Sequence, residues 1–192
     1  MKLTGLLSAL LVCVALLTEA QSLRGLDKSP MDMAYYPDDF AHDRKFAPAK
    51  VGDKVYARVT YSRPAKNGRD VFGKLIPYGK VWRVGANEAT EIKFFTDATI
   101  QGKTVKAGVY SLYAIPTDTE WTLILNSDLD QWGAYSYKPE LDVLRVTAPV
   151  KKTDTTTENF TIQFKKANDT PSQSIMMFAW DNALVEVPVT FQ

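Results

Sequence analysis

Cysteine and histidine are nearly absent from this 192-residue chain: Cys13 and His42 stand alone. Cys13 lies inside an N-terminal apolar run, so a chain cleaved after that run has no thiol, and disulfides, a Cys nucleophile and Cys-based metal sites are excluded. One histidine leaves no second imidazole for a zinc site and only one general base for a Ser-His-Asp arrangement. Gly-x-Ser-x-Gly, His-Glu-x-x-His, the P-loop and Gly-x-Gly-x-x-Gly are all missing, so the sequence offers no cofactor or metal signature. Charge excess is lacking too. With 23 basic and 22 acidic residues the net charge is +1, far from the basic surplus of nucleic-acid binders. Beyond the first 20 residues there is no long hydrophobic run, hence no membrane insertion after cleavage.

Those first residues place Lys2 before the apolar run Leu3 to Leu17 and end in Thr18-Glu19-Ala20. Small residues at the two positions a signal peptidase inspects, behind a run too short to span a bilayer, predict a signal peptide over 1–20. Val12 precedes Cys13 where a lipoprotein signal has Gly or Ala, so the expectation is a periplasmic or secreted protein without a lipid anchor. Residues 21–50 are polar and Pro-dotted yet contain Met31, Met33, Tyr35, Tyr36, Phe40 and Phe46. They read as an extended arm that packs along the domain, since a solvated leader rarely carries so many large apolar side chains.

From residue 51 to 192 the pattern has period two. Phe160, Ile162 and Phe164 alternate with polar residues, as do Val185, Val187, Val189 and Phe191, which marks half-buried strands. Similar readings cover Val55 to Tyr61, Val81 to Val84, Glu91 to Ile100, Val109 to Ile115, Trp121 to Asn126, Val143 to Ala148 and Ile175 to Trp180. Gln101-Gly102-Lys103 and Ala107-Gly108 are turns, and the polar run Lys151 to Glu158 reads as a loop or hairpin tip. About nine short strands predict an all-β fold: a single antiparallel β-sandwich, jelly-roll-like, with marginal helix content.

Chemistry concentrates between Tyr61 and Thr90. Arg63, Arg69 and Arg83 lie near turns, beside Asn87 and Glu88, and strand parity allows all five to converge at one end of the sandwich. Guanidinium groups suit planar, bidentate recognition of carboxylate, phosphate or sulfate. The bland alternative pairs them with Asp70, Glu88, Glu91 or Asp97. The run from Asn126 to Tyr137 adds Trp132 and Tyr135, platforms on which a sugar ring stacks, or lids over the core. Asp128 and Asp130 supply only a fraction of a calcium loop. The expected ligand-binding set is therefore Arg63, Arg69, Arg83, Asn87, Glu88, Trp132 and Tyr135, for a small anionic molecule or a glycan. Two other readings stay open: a hydrolase using Glu88 with Asp128 or Asp130, and an envelope assembly protein using the arm as an interface.

The blocks Tyr61-Ser62-Arg63-Pro64, Pro77-Tyr78-Gly79-Lys80-Val81-Trp82-Arg83, Gly85-Ala86-Asn87-Glu88-Ala89-Thr90, Ala107-Gly108-Val109-Tyr110-Ser111-Leu112 and Gln131-Trp132-Gly133-Ala134-Tyr135, in this order, resemble the secreted bacterial family of domain of unknown function 2911. The resemblance implies export and one compact domain, and carries no catalytic residue with it.

Overall fold

A computed structural model describes residues 23–192. The signal-peptide reading and Cys13 lie outside the described residues. Nine antiparallel strands form one open sheet in the order β1-β2-β3-β6-β7-β8-β9-β4-β5. They are β1 (Met31–Tyr36), β2 (Ala57–Ser62), β3 (Thr90–Phe94), β4 (Ala98–Ile100), β5 (Lys103–Val105), β6 (Gly108–Pro116), β7 (Glu120–Asn126), β8 (Asp142–Lys166) and β9 (Gln173–Phe191). The all-β, antiparallel expectation holds. Among the described residues helix is confined to α1 (Phe40–Phe46), α2 (Pro48–Val51) and a 3₁₀ turn at Pro139–Leu141.

One long strand folds this sheet over its core. The first part of β8 pairs with β7 from Asp142 to Pro149, and from Val150 onward the strand pairs with β9. Leu144, Val146, Ala148, Phe160, Ile162 and Phe164 are all buried and all of one parity, so β8 presents a single face to the core along both halves. Tyr61 ties the opposite end of the sheet to this strand, donating from its hydroxyl to the Ile162 carbonyl (3.1 Å) and accepting from the Ile162 amide (3.0 Å). Burial pushes the Tyr61 phenol up, as expected for a hydroxyl used structurally.

Four sequence expectations need correction. Lys151–Glu158 is neither loop nor hairpin tip. It is the exposed middle of β8, where register jumps from Lys152↔Ala183 to Thr157↔Asp181. Three extra residues on β8 are absorbed there as a bulge, and polarity marks its exposure, not an end of the strand. Two expected strands, at 175–180 and 185–191, are one. In β9 the buried set changes parity, from Met176, Phe178 and Trp180 to Ala183, Val185, Val187, Val189 and Phe191. The change falls at Asp181, which sits at φ 54°, and a one-residue slip moves every following side chain to the other face. Glu91–Ile100, conversely, is two strands. The chain crosses between the halves at Phe95–Asp97, where Asp97 accepts from the Ala107 amide (2.9 Å) and pairs with Lys106 (2.7 Å).

Val81–Val84 is not a strand either. It contributes one antiparallel bridge, Trp82↔Ala114, on the part of the β6 edge beyond the β3 pairing, which ends at Leu112. Trp82 lies in the aromatic centre of the core, with ring centroids 5.1 Å from Phe160 and 5.5 Å from Trp121. Its indole N–H donates to the Gly85 carbonyl at 3.1 Å.

On the sheet surface Glu186 receives Lys151 and Lys165, and these ammonium groups hold its carboxyl below the usual range. A carboxyl depressed in the folded state contributes stability above its unfolded pKa and loses it as pH falls through the folded value. Glu186→Gln is therefore expected to be less stable than wild type at pH 7, by up to about 1 kcal/mol, and to melt at a lower temperature. The difference should close as pH drops beneath the carboxylate range, which melts from pH 3 to 7 would check.

Candidate functional site

The loop that follows Trp82 is built from backbone that most residues avoid. Val84 is buried at φ 54°, Gly85 takes φ 155° and Asn87 φ 60°. A β-branched residue in the left-handed region is a genuine outlier, and it persists only where surrounding structure over-determines it. Here the Thr90 hydroxyl donates to the Val84 carbonyl (2.5 Å), the Thr90 amide to the Arg83 carbonyl (3.1 Å), and Trp82 to Gly85. A second loop is zipped to the first, through the Glu88↔Trp132 bridge and the Ala89 amide donating to the Gln131 carbonyl (2.9 Å).

These two loops bring Arg83 and Tyr135 together across Gly133. A Cβ built at Gly133 would lie 3.0 Å from the Tyr135 ring and 3.4 Å from the nearer Arg83 terminal nitrogen, and Gly133 takes φ 69°. Only glycine fits that crossing without moving Tyr135. Arg83 and Tyr135 line a cleft of about 230 Å³ with Lys80, Leu75, Pro77 and Ala134. Tyr135 is 84% exposed, so its ring forms a free wall. Arg83 Nε is buried without a hydrogen-bond partner. Among the described residues no carboxylate pairs with Arg83 or Lys80.

The other expected residues divide. Arg63 donates to Asp32 (2.8 Å), the Thr161 hydroxyl (2.9 Å) and the Phe160 carbonyl (3.2 Å), fastening β1 and β2 to β8. Arg69 donates to the Ala65 and Lys66 carbonyls of its own turn. Both guanidiniums are thus engaged within the chain, away from the Arg83 cleft. Asn87 stands at the apex of the strained loop, and Trp132 is exposed beside Glu88. Glu88 lines a different cleft, of about 250 Å³, with Glu91, Asp130, Ser111 and Gln131. Asp128 does not line it and pairs with Lys138 (2.9 Å).

The far end of the second loop is pinned by Tyr137, Asp142 and Arg145. Tyr137 donates to Asp142 (2.7 Å) and Arg145 to the same carboxylate (2.7 Å). Burial, then Asp142, pushes the Tyr137 phenol up to about 12, so it stays a donor at any physiological pH. Among the described residues no group of three or more His, Cys, Asp or Glu is placed to hold a metal ion, and no helix is long and apolar enough to cross a membrane.

Sequence reasoning missed Lys80 as a cleft residue and Gly133 as the residue across which Arg83 and Tyr135 meet. The available signal was Gly133 between two aromatics, and Lys80 three residues before Arg83 in a segment that is not a strand.

An antiparallel β-sheet protein with a small cationic cleft held by two interlocked loops is the class that this geometry defines. The chain belongs to the family described as protein of unknown function (DUF2911), whose match spans residues 44–189, so the resemblance read from the sequence is confirmed. Among curated proteins and solved structures nothing matches the chain.

Proposed function

We propose that this protein binds a small anionic molecule, of carboxylate, phosphate or sulfate chemistry, in the cleft of Arg83, Lys80 and Tyr135. The observation that carries the reading is Arg83: it lines the cleft, and among the described residues no carboxylate pairs with it. Its guanidinium can therefore offer terminal N–H groups to an anion in a charge-assisted bond. Leu75, Pro77 and the Tyr135 ring favour a ligand with an apolar or ring face beside its charge, which a sugar acid also has. The alternative of acid-base hydrolysis at Glu88 is less well supported. Its cleft contains three carboxylates and no Arg or Lys, so nothing cationic lines it to steady developing negative charge. Lys2, the apolar run behind it and Ala20 support export as the setting.

The test is thermal melting against citrate, inorganic phosphate, sulfate and glucuronate, each compared with sodium chloride of equal ionic strength. At least one of them is expected to raise the wild-type Tm progressively with its concentration, corresponding to about 2.7 kcal/mol of added stability at one hundred times Kd. Arg83→Gln should remain folded and bind at least about tenfold more weakly, since a charge-assisted hydrogen bond contributes roughly 1.5–3 kcal/mol. Arg63→Gln should lose stability but keep the response. No stabilisation by any of the four, or wild-type affinity in Arg83→Gln, would overturn the proposal.

A further inference from the structure

A cavity of about 500 Å³ lies elsewhere, on the outer face of β1, where Met31, Met33, Tyr35 and His42 meet Asp32, Asp39 and Thr60. Met31 and Met33 are two apart on one strand and so share a face. They are 61% and 53% exposed, unlike the buried Ala34 and Tyr36 on the opposite face. The Tyr35 hydroxyl contacts the Met33 sulfur at 3.8 Å. Helix α1 turns back over this face and brings the chain's single histidine into the same cavity.

His42 is held in a particular way. Its Nδ1 lies 2.8 Å from Oδ1 of Asp43, a buried carboxylate whose other oxygen pairs with Lys50 at 2.5 Å. An imidazole that donates through Nδ1 to a carboxylate presents the lone pair of Nε2 outward, the arrangement found behind metal-ligating histidines. Two thioethers and one imidazole are a soft, neutral donor set. Such a set discriminates against magnesium, calcium and zinc and in favour of monovalent copper, whose affinity for thioether sulfur is high. Asp32 and Asp39 at the rim supply negative charge for a cation without replacing the soft ligands.

We infer that Met31, Met33 and His42 form a Cu(I)-binding site on the outer face of the β1 edge, with Asp43 as the positioning residue for His42. All three ligands precede residue 44, where the family match begins, so the site belongs to this chain's own N-terminal segment. It is independent of the anion cleft.

The experiment uses the full chain carrying Cys13→Ser, which removes the only competing thiol. Cu(I) is added anaerobically against a chromophoric Cu(I) chelator, with Ag(I) as a redox-inert second probe, and methionine methyl and histidine ring resonances are followed by NMR. One ion per chain is expected, with shifts confined to Met31, Met33 and His42. Met31→Leu combined with Met33→Leu, and separately His42→Gln, should each weaken binding at least tenfold while leaving the melting temperature near that of the parent, because all three side chains are exposed. Failure to compete with the chelator, unchanged affinity in these variants, or shifts only at Met1 or Met177 would overturn the inference. The NMR readout on the parent protein decides the matter even if a variant misfolds.

Discussion

Trp82→Ala is expected to lower the unfolding free energy by about 3–5 kcal/mol, the range for truncating a buried aromatic. For a domain of ordinary stability that is a third or more of the total. Trp82 is 5% exposed and packs against Trp121, Trp180, Phe160 and Phe72, so little can collapse into the space it leaves. It also supplies the donor that holds the Gly85 carbonyl. Urea denaturation followed by circular dichroism measures the loss. Trp82→Phe separates the two effects, since it keeps most of the ring and removes the hydrogen bond, worth about 1 kcal/mol. A Trp82→Ala protein within 1 kcal/mol of wild type would show that the loop does not depend on this anchor.

Gly85→Ala is the second large effect, with an expected destabilisation of about 2–5 kcal/mol. A Cβ at this position would stand 2.9 Å from the Ser62 carbonyl oxygen and 3.2 Å from the Thr90 hydroxyl. The first is backbone of β2 and cannot swing away. The backbone also sits at φ 155°, so a side chain adds conformational strain of roughly 1–3 kcal/mol to the overpacking. Relief would require the Arg83–Thr90 loop to lift from β2, which displaces Arg83 from the cleft. Gly85→Ala should consequently lose any anion-dependent rise in Tm even at temperatures where it is folded. A variant with unchanged Cm and an intact anion response would contradict both expectations. Gly79→Ala is the natural control, because a Cβ there meets nothing within 4 Å although its φ is also positive.

Most of the strands were readable in advance because burial on one face leaves a period of two, and Phe160-Ile162-Phe164 and Val185-Val187-Val189-Phe191 show it without ambiguity. What the period does not encode is which strands are continuous. Asp181 joins two runs through one left-handed torsion, and three extra residues before Thr157 offset the register, neither of which the alternation reveals. The candidate site was legible in part. The residue types that draw attention, arginines near turns and aromatics in a loop, were visible between Tyr61 and Tyr137, but their convergence rested on assigning strand parity to Val81–Val84. That segment holds only a bridge at Trp82 and then a left-handed Val84, so the parity argument had no ladder to stand on. Arg63 reached Asp32 and Thr161, partners in β1 and β8 that lie 31 and 98 residues away in sequence.

The sequence by itself determined that the chain is all-β, that its strands are antiparallel and half-buried, and that it belongs with its family, because these properties follow from local alternation, turn residues and motif order. Which arginine is left without an internal partner was decided only by the tertiary structure. Charge pairing is a matter of a few ångströms between residues from distant parts of the chain, so three guanidiniums that look equivalent in sequence become two fasteners, Arg63 and Arg69, and one open cation, Arg83. The same holds for Met31, Met33 and His42: spacing puts the two sulfurs on one face, but only the fold of α1 over β1 brings the imidazole to them.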